Sequence, residues 1–219
     1  MIDRDKEIVL WGHTGSINRG CDAIVKSTAD LIHNNTNWKC TLVTNRLSED
    51  LQFGLNEFDE VIETVGFENS FVLRCVSLFW KLIMKNNDRF NQIKQAPVIK
   101  RLKNSSSVVF IVGGDTYNRV VNVNPSNLYI VNYCYDNNIP VVLWGCSIQE
   151  SFKSQEFITH MKKFSYILPR EQLTYNNFIE AGFDQKKLLL MSDPAFCLDS
   201  QPTVYDNFFN ENDVLLFTL

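Results

Sequence analysis

Two short runs, SVVFIVGG (Ser107–Gly114) and IPVVLWG (Ile139–Gly145), show no polar face. A strand with one side in water alternates apolar and polar residues. A run without that alternation is buried on both sides, as in a parallel sheet covered by helices. Further apolar, β-branched runs occur at Glu7–Gly12, Cys40–Thr44, Glu60–Thr64, Tyr166–Leu168 and Lys187–Leu190. Helical patterns lie between them at Gly20–His33, Ser70–Gln95, Ser126–Asn137, Gln155–Phe164 and Glu171–Ala181. In the first, Ile24, Thr28, Leu31 and Ile32 share a face. Strand and helix in alternation predict an α/β fold, a Rossmann-like parallel sheet flanked by helices and joined by right-handed crossovers.

The 219 residues are 45% apolar and 21% charged, enough apolar material for a globular core. A formal charge of −4 with dispersed basic residues argues against a nucleic-acid surface. Six cysteines (21, 40, 75, 134, 146, 197) form no C-x-x-C and do not cluster with the three histidines, so no metal site is expected. Cys75 and Cys134 lie in apolar runs and read as buried, reduced thiols. The N-terminus lacks a signal-peptide core, and no apolar run reaches the roughly 18 residues of a spanning helix. The expected location is cytoplasmic. Phe71–Met84 is strongly apolar, with Arg74 and Lys81 seven residues apart. It reads as a packed helix with two snorkelling cations, the alternative being an interfacial helix at the inner face of the plasma membrane.

Residues 1–199 read as one Rossmann-like domain. After DPAFCLD the chain turns polar, and DVLLFTL then begins as a new strand. Residues 200–219 are taken as a linker and the first strand of a second domain, rather than as a last edge strand of the same sheet.

Ligands of open parallel sheets collect beyond the carboxyl ends of the strands. The first strand runs into a loop with Gly12, Gly15 and Gly20 that opens a helix. That junction is either a tight turn or a place where helix N–H groups meet an anion. It is neither G-x-G-x-x-G nor G-K-[ST], so it names no ligand. Small, polar or charged residues also follow later strands: Gly113, Gly114 and Asp115; Gly145 to Ser147; Arg170 and Glu171; Asp193 and Pro194. Asp115 either caps the next segment or faces a ligand. Arg170 is either a structural tie to Glu171 or Asp193, or a fork for a phosphate or carboxylate. Asp193 before Pro194 reads as a turn or domain-junction residue. His13 reads as a surface or structural histidine, since no acidic partner is near it in sequence, and His33 and His160 carry no signal. No Ser-His-Asp order or paired carboxylates stand out, so no catalytic residue is assigned.

Together GHTGSINRGCDAIV, VVFIVGGDTYN, IPVVLWGCSIQE, LPREQLTYNNFIEAGF and MSDPAFCLD, in this order over residues 8–199, resemble the polysaccharide pyruvyl transferase family. The resemblance implies the N-terminal half of a GT-B-like two-domain architecture. It implies transfer of a pyruvyl group from phosphoenolpyruvate, as co-substrate and without another cofactor, to hydroxyls of a surface polysaccharide or its lipid-linked precursor. Carried over, it places Gly15, Asn18, Gly20 and Asp22 in the N-terminal loop and Gly113, Gly114 and Asp115 on a cleft wall. Arg170 would meet the donor's phosphate or carboxylate, Glu171 would hold that arginine or the following helix, and Asp193 with Pro194 would approach the hinge. Where many relatives carry a Gly-x-Ser-Ile-Gly-Pro-like run, this chain has Gly145, Cys146, Ser147, Ile148, Gln149 and Glu150, without the second glycine and the proline. The family's second domain supplies further basic residues and an acid histidine, so this segment alone is expected to be inactive. Two alternatives are a nucleotide-sugar-dependent GT-B glycosyltransferase domain and a non-catalytic sugar- or anion-binding remnant.

Overall fold

The computed structural model describes residues 6–64, 71–79, 82, 87–104, 106–112, 117, 124–148 and 154–198. Six strands, β1 (Lys6–Trp11), β2 (Lys39–Thr44), β3 (Glu60–Glu63), β4 (Ser106–Val112), β5 (Val141–Cys146) and β6 (Tyr166–Pro169), form one sheet. Its order is β3-β2-β1-β4-β5-β6 and every pairing is parallel. This is the doubly wound order, which reverses between β1 and β4. The apolar-on-both-faces runs explain it. Val9, Leu10, Ile111 and Leu143 are all essentially inaccessible, and only helix-covered strands need such sequences.

One face carries α1 (Arg19–Asn35), whose Ile24, Val25, Ala29 and Ile32 pack on Ile8, Leu10 and Leu42. Asn18 caps α1, its side chain accepting from the Cys21 N–H at 3.3 Å, a contact worth about 1 kcal/mol. The other face is covered by α5 (Ala96–Asn104), through Val98 and Leu102, and by α6 (Pro125–Asp136), through Ile130 and Val131. Helices α7 (Gln155–Met161) and α8 (Gln172–Glu180) extend that layer with Phe157, Met161 and Phe178.

Four expectations change. Over the expected helix Ser70–Gln95 the described residues include α3 (Phe71–Leu78) and α4 (Asn87–Lys94), and Gln95 leads into α5. Pro97 lacks an N–H and suits a first helical turn, so its position marks a new start rather than a continuation. A short helix, α2 (Leu47–Asp50), follows β2 where the sequence showed none. Lys187–Leu190 is not a strand: Gln185–Lys187 is a 3-10 turn, and only Leu188 bridges to Ile167. Finally, Val72, Val76, Leu78, Phe79 and Leu82 are exposed, and Cys75, expected to be buried, is exposed with them. Cys134 is buried, and burial raises its thiol to about 12. Among the described residues no helix is long and apolar enough to cross a membrane. Residues 199–219, including the expected linker and strand, lie outside the described residues.

Candidate functional site

A cleft of about 640 Å³ opens beyond the carboxyl ends of the strands, where the strand order reverses. Its floor is the end of β1: Trp11, Gly12, His13 and Thr14. Gly12 has φ +102°, and a Cβ there would sit 2.6 Å from the Val112 carbonyl oxygen of β4. Only glycine allows the two strand ends to come this close. One wall is the α1 N-terminus, with Asn18, Gly20 and Cys21. Thr44, Asn45 and Arg46 after β2, and Thr64 after β3, form the second. Lys94 and Gln95 between α4 and α5, with Asn124, Ser126 and Asn127 at the start of α6, form the third, and Arg170 reaches in from the end of β6.

The charged residues that line this cleft are cations, two of them paired just outside it: Arg46 with Glu49 at 3.1 Å and Arg170 with Asp193 at 2.6 Å. Arg46, Lys94 and Arg170 line it, and no Asp or Glu does among the described residues, although the chain as a whole carries −4. Free N–H groups at the start of α1 add partial positive charge.

His13 is buried. Its Nε2 lies 3.5 Å from Asp50 Oδ1 and 3.3 Å from Ser16 Oγ. Asp50, also buried, accepts from the Ser16 N–H at 2.7 Å and from the Thr44 hydroxyl. The acidic partner that local sequence did not show thus arrives from α2, 37 positions on (50 − 13). Burial lowers the His13 pKa, opposed by Asp50. Assigning the ring proton to Nε2, on the side of the Asp50 carboxylate, makes Nδ1 a lone-pair acceptor. That atom is buried without a hydrogen-bond partner.

Gln95 repeats the pattern. It is fully buried, lines the cleft, and neither its Oε1 nor its Nε2 has a hydrogen-bond partner. A buried polar group left unpaired costs about 1–3 kcal/mol.

Of the residues singled out from sequence, Asn18, Gly20 and Arg170 line the cleft. Gly15 lies in the same loop at φ +110°, and a Cβ there would meet the Arg46 side chain at 3.1 Å. Asp22 instead sits within α1, 3.1 Å from Arg19 and 3.6 Å from Lys26. Arg170 donates from Nη1 to Asp193 Oδ2 at 2.6 Å and from Nε to Ser147 Oγ at 2.7 Å. It is therefore both a tie and a cleft residue. Asp193 in turn caps the Pro194–Cys197 turn, accepting from the Ala195 N–H. Glu171 accepts from the Thr174 hydroxyl at 2.8 Å at the start of α8, which fits holding that helix. Gly113, Gly114 and Asp115 lie outside the described residues. Sequence reading missed Asp50, Arg46, Lys94, Gln95 and Asn127. The available signal was the loops after β2 and β3, which obey the same strand-end rule as the others.

Among the described residues no group of three His, Cys, Asp or Glu side chains is placed to hold a metal. Burial drives the thiols of Cys40 and Cys146 up to about 12, which removes them as nucleophiles.

The polysaccharide pyruvyl transferase family model matches residues 51–214. The chain belongs to that family. The matched span includes Gly113–Asp115, Arg170 and Asp193 and begins after the loop around Gly15. No match was found among curated proteins. Similar solved structures include UDP-GlcNAc 2-epimerase from Neisseria meningitidis bound to UDP-GlcNAc, with TM-score 0.50 and 13% identity, covering 87% of this chain and 47% of that one. UDP-GlcNAc 2-epimerase from Methanocaldococcus jannaschii aligns with TM-score 0.48 and 12% identity, covering 84% and 44%. The pyruvyl transferase-family chain thus spans about half the length of these proteins, and at such identity the likeness shows fold alone. That fold is the α/β sheet of a GT-B-type half.

Proposed function

We propose that the chain supplies one wall of a pyruvyl transferase site, taking phosphoenolpyruvate as donor and a sugar of a surface polysaccharide or its lipid-linked precursor as acceptor. The observation that carries this reading is the cation-lined cleft at the α1 N-terminus, which has no acidic lining among the described residues of a net acidic protein. A donor with a phosphate and a carboxylate suits such a field. Family membership narrows the anion's chemistry.

In the proposed reaction a proton adds to the donor's methylene carbon and one sugar hydroxyl oxygen bonds to the enol carbon. The C–O bond to phosphate then breaks and a second hydroxyl of the same sugar closes the ketal. Of the two hydroxyl protons, one balances the new methyl group and the other leaves with inorganic phosphate. Arg170 and the α1 N–H groups stabilise the departing charge, and the cleft holds the reactants together. Work takes place in the cytoplasm, and the exposed Val72, Val76, Leu78, Phe79 and Leu82 make a peripheral membrane contact near a lipid-linked acceptor.

The test is phosphate release from phosphoenolpyruvate by the full-length protein with an acceptor glycan. Arg170→Gln should lower the rate at least tenfold, mainly through weaker donor binding. Release of nucleotide from a UDP-sugar without phosphate release from phosphoenolpyruvate would favour the glycosyltransferase reading. Binding without turnover of either donor would favour the remnant.

A further inference from the structure

Two residues that line the cleft hold buried polar atoms without a hydrogen-bond partner: Nδ1 of His13, and Oε1 and Nε2 of Gln95. They come from separate elements, the loop after β1 and the α4–α5 junction. Gln95 uses its backbone for structure, its N–H donating to the Asn91 carbonyl at 2.8 Å and its carbonyl accepting from Ile99 N–H at 2.9 Å. Its carboxamide takes no part in the fold. His13 likewise spends Nε2 on Asp50 and Ser16 and leaves the other ring nitrogen unused.

The Gln95 amide presents one acceptor and one donor whichever way it is turned, and His13 Nδ1 is a second acceptor with the ring proton on Nε2. A phosphate or carboxylate anion has no hydrogen to give these acceptors. The complementary ligand carries hydroxyl groups: two O–H donors for Gln95 Oε1 and His13 Nδ1, and an oxygen for Gln95 Nε2. The cations and the α1 N–H groups meanwhile supply only donors, so the cleft divides chemically into an anion part and a hydroxyl part.

We propose that Gln95 and His13 form the hydroxyl-reading subsite of the cleft, binding a neutral pyranose ring of the acceptor through adjacent hydroxyls. This rests on the reading of the cleft as a transferase site. The two fail separately, because ring binding is measured without a donor.

The experiment titrates the full chain with methyl α-glucopyranoside, methyl α-mannopyranoside and methyl β-galactopyranoside by saturation-transfer NMR, with uridine and phosphoenolpyruvate as separate ligands. At least one pyranoside should bind. Gln95→Met and His13→Phe should each weaken it at least tenfold, while Gln95→Met changes phosphoenolpyruvate affinity less than twofold. Gln95→Met should also leave the Tm unchanged or raise it, since the amide has no partner to lose. Failure of every pyranoside to bind, unchanged binding in Gln95→Met, or uridine bound in place of any pyranoside overturns the proposal. A loss of binding accompanied by a lowered Tm in Gln95→Met assigns the amide to structure and overturns it as well.

Discussion

The two ends of the sheet bury polar groups in opposite ways. At the amino end Glu7 of β1 is almost inaccessible, yet every neighbour serves it. Arg101 of α5 reaches both of its oxygens at 3.0 Å, Ser107 of β4 donates at 3.2 Å, and Thr41 of β2 donates as well. Arg101 also meets Glu60 of β3 at 3.1 Å, so one cluster ties four strands. At the carboxyl end His13 and Gln95 are just as buried and are left with unmet atoms. A fully satisfied polar cluster rigidifies a fold, whereas a partly satisfied one is a cost that the fold carries for a ligand. Buried oxygens without a hydrogen-bond partner also occur outside the cleft, at Asp22 and Glu57, so the contrast holds between Glu7 and the cleft pair rather than for every buried polar group.

The largest effect expected is at the amino end. Arg101→Met leaves the Glu7 charge buried without its partner and should cost about 3–5 kcal/mol in urea denaturation. A loss below 1 kcal/mol would break the contrast. Acid should act instead on the buried histidines. His160 of α7 is buried beneath Tyr117, beyond β4, its Nε2 3.2 Å from the phenol oxygen, and burial lowers its pKa to about 4. Its folded pKa lies below the unfolded value, so the unfolded chain takes up the proton first. Stability is then fully present above pH 6.5 and falls as pH drops toward 4, by up to roughly 3 kcal/mol. Denaturation midpoints across that window should show the slope, and His160→Gln should flatten it. His13, shifted in the same direction, adds to the loss. A smaller change sharpens the site itself. Asp50→Asn should cost about 1–2 kcal/mol, because the Ser16 N–H and Thr44 hydroxyl lose a charged acceptor. It should also lower the His13 pKa further, readable by NMR, since Asp50 is what opposes desolvation there.

The sheet was legible because both-face apolar runs such as IPVVLWG admit few other placements. Six of the seven expected strands form. The seventh failed because Lys187–Leu190 has only one apolar bridge to β6 and leaves Leu189 and Leu190 half-exposed. The helix α5 was not anticipated, because the expected helix stopped at Gln95, although Pro97 in the first turn of α5 is a helix-start signal. At the site, the loop around Gly12 and the arginine after β6 announce themselves by residue type. Asp50 and Gln95 do not. Their meaning comes from what they touch or fail to touch, and that is set by packing between segments tens of residues apart.

β1 is the middle of the sheet, paired along its length to β2 and β4, with Val9 and Leu10 sealed from water. Gly12 and His13 extend directly from it, so the cleft is anchored to the part of the molecule slowest to open. Arg46 and Lys94 sit on short peripheral segments instead. Such a site has a floor held by the core of the sheet and a rim whose side chains can change without disturbing it.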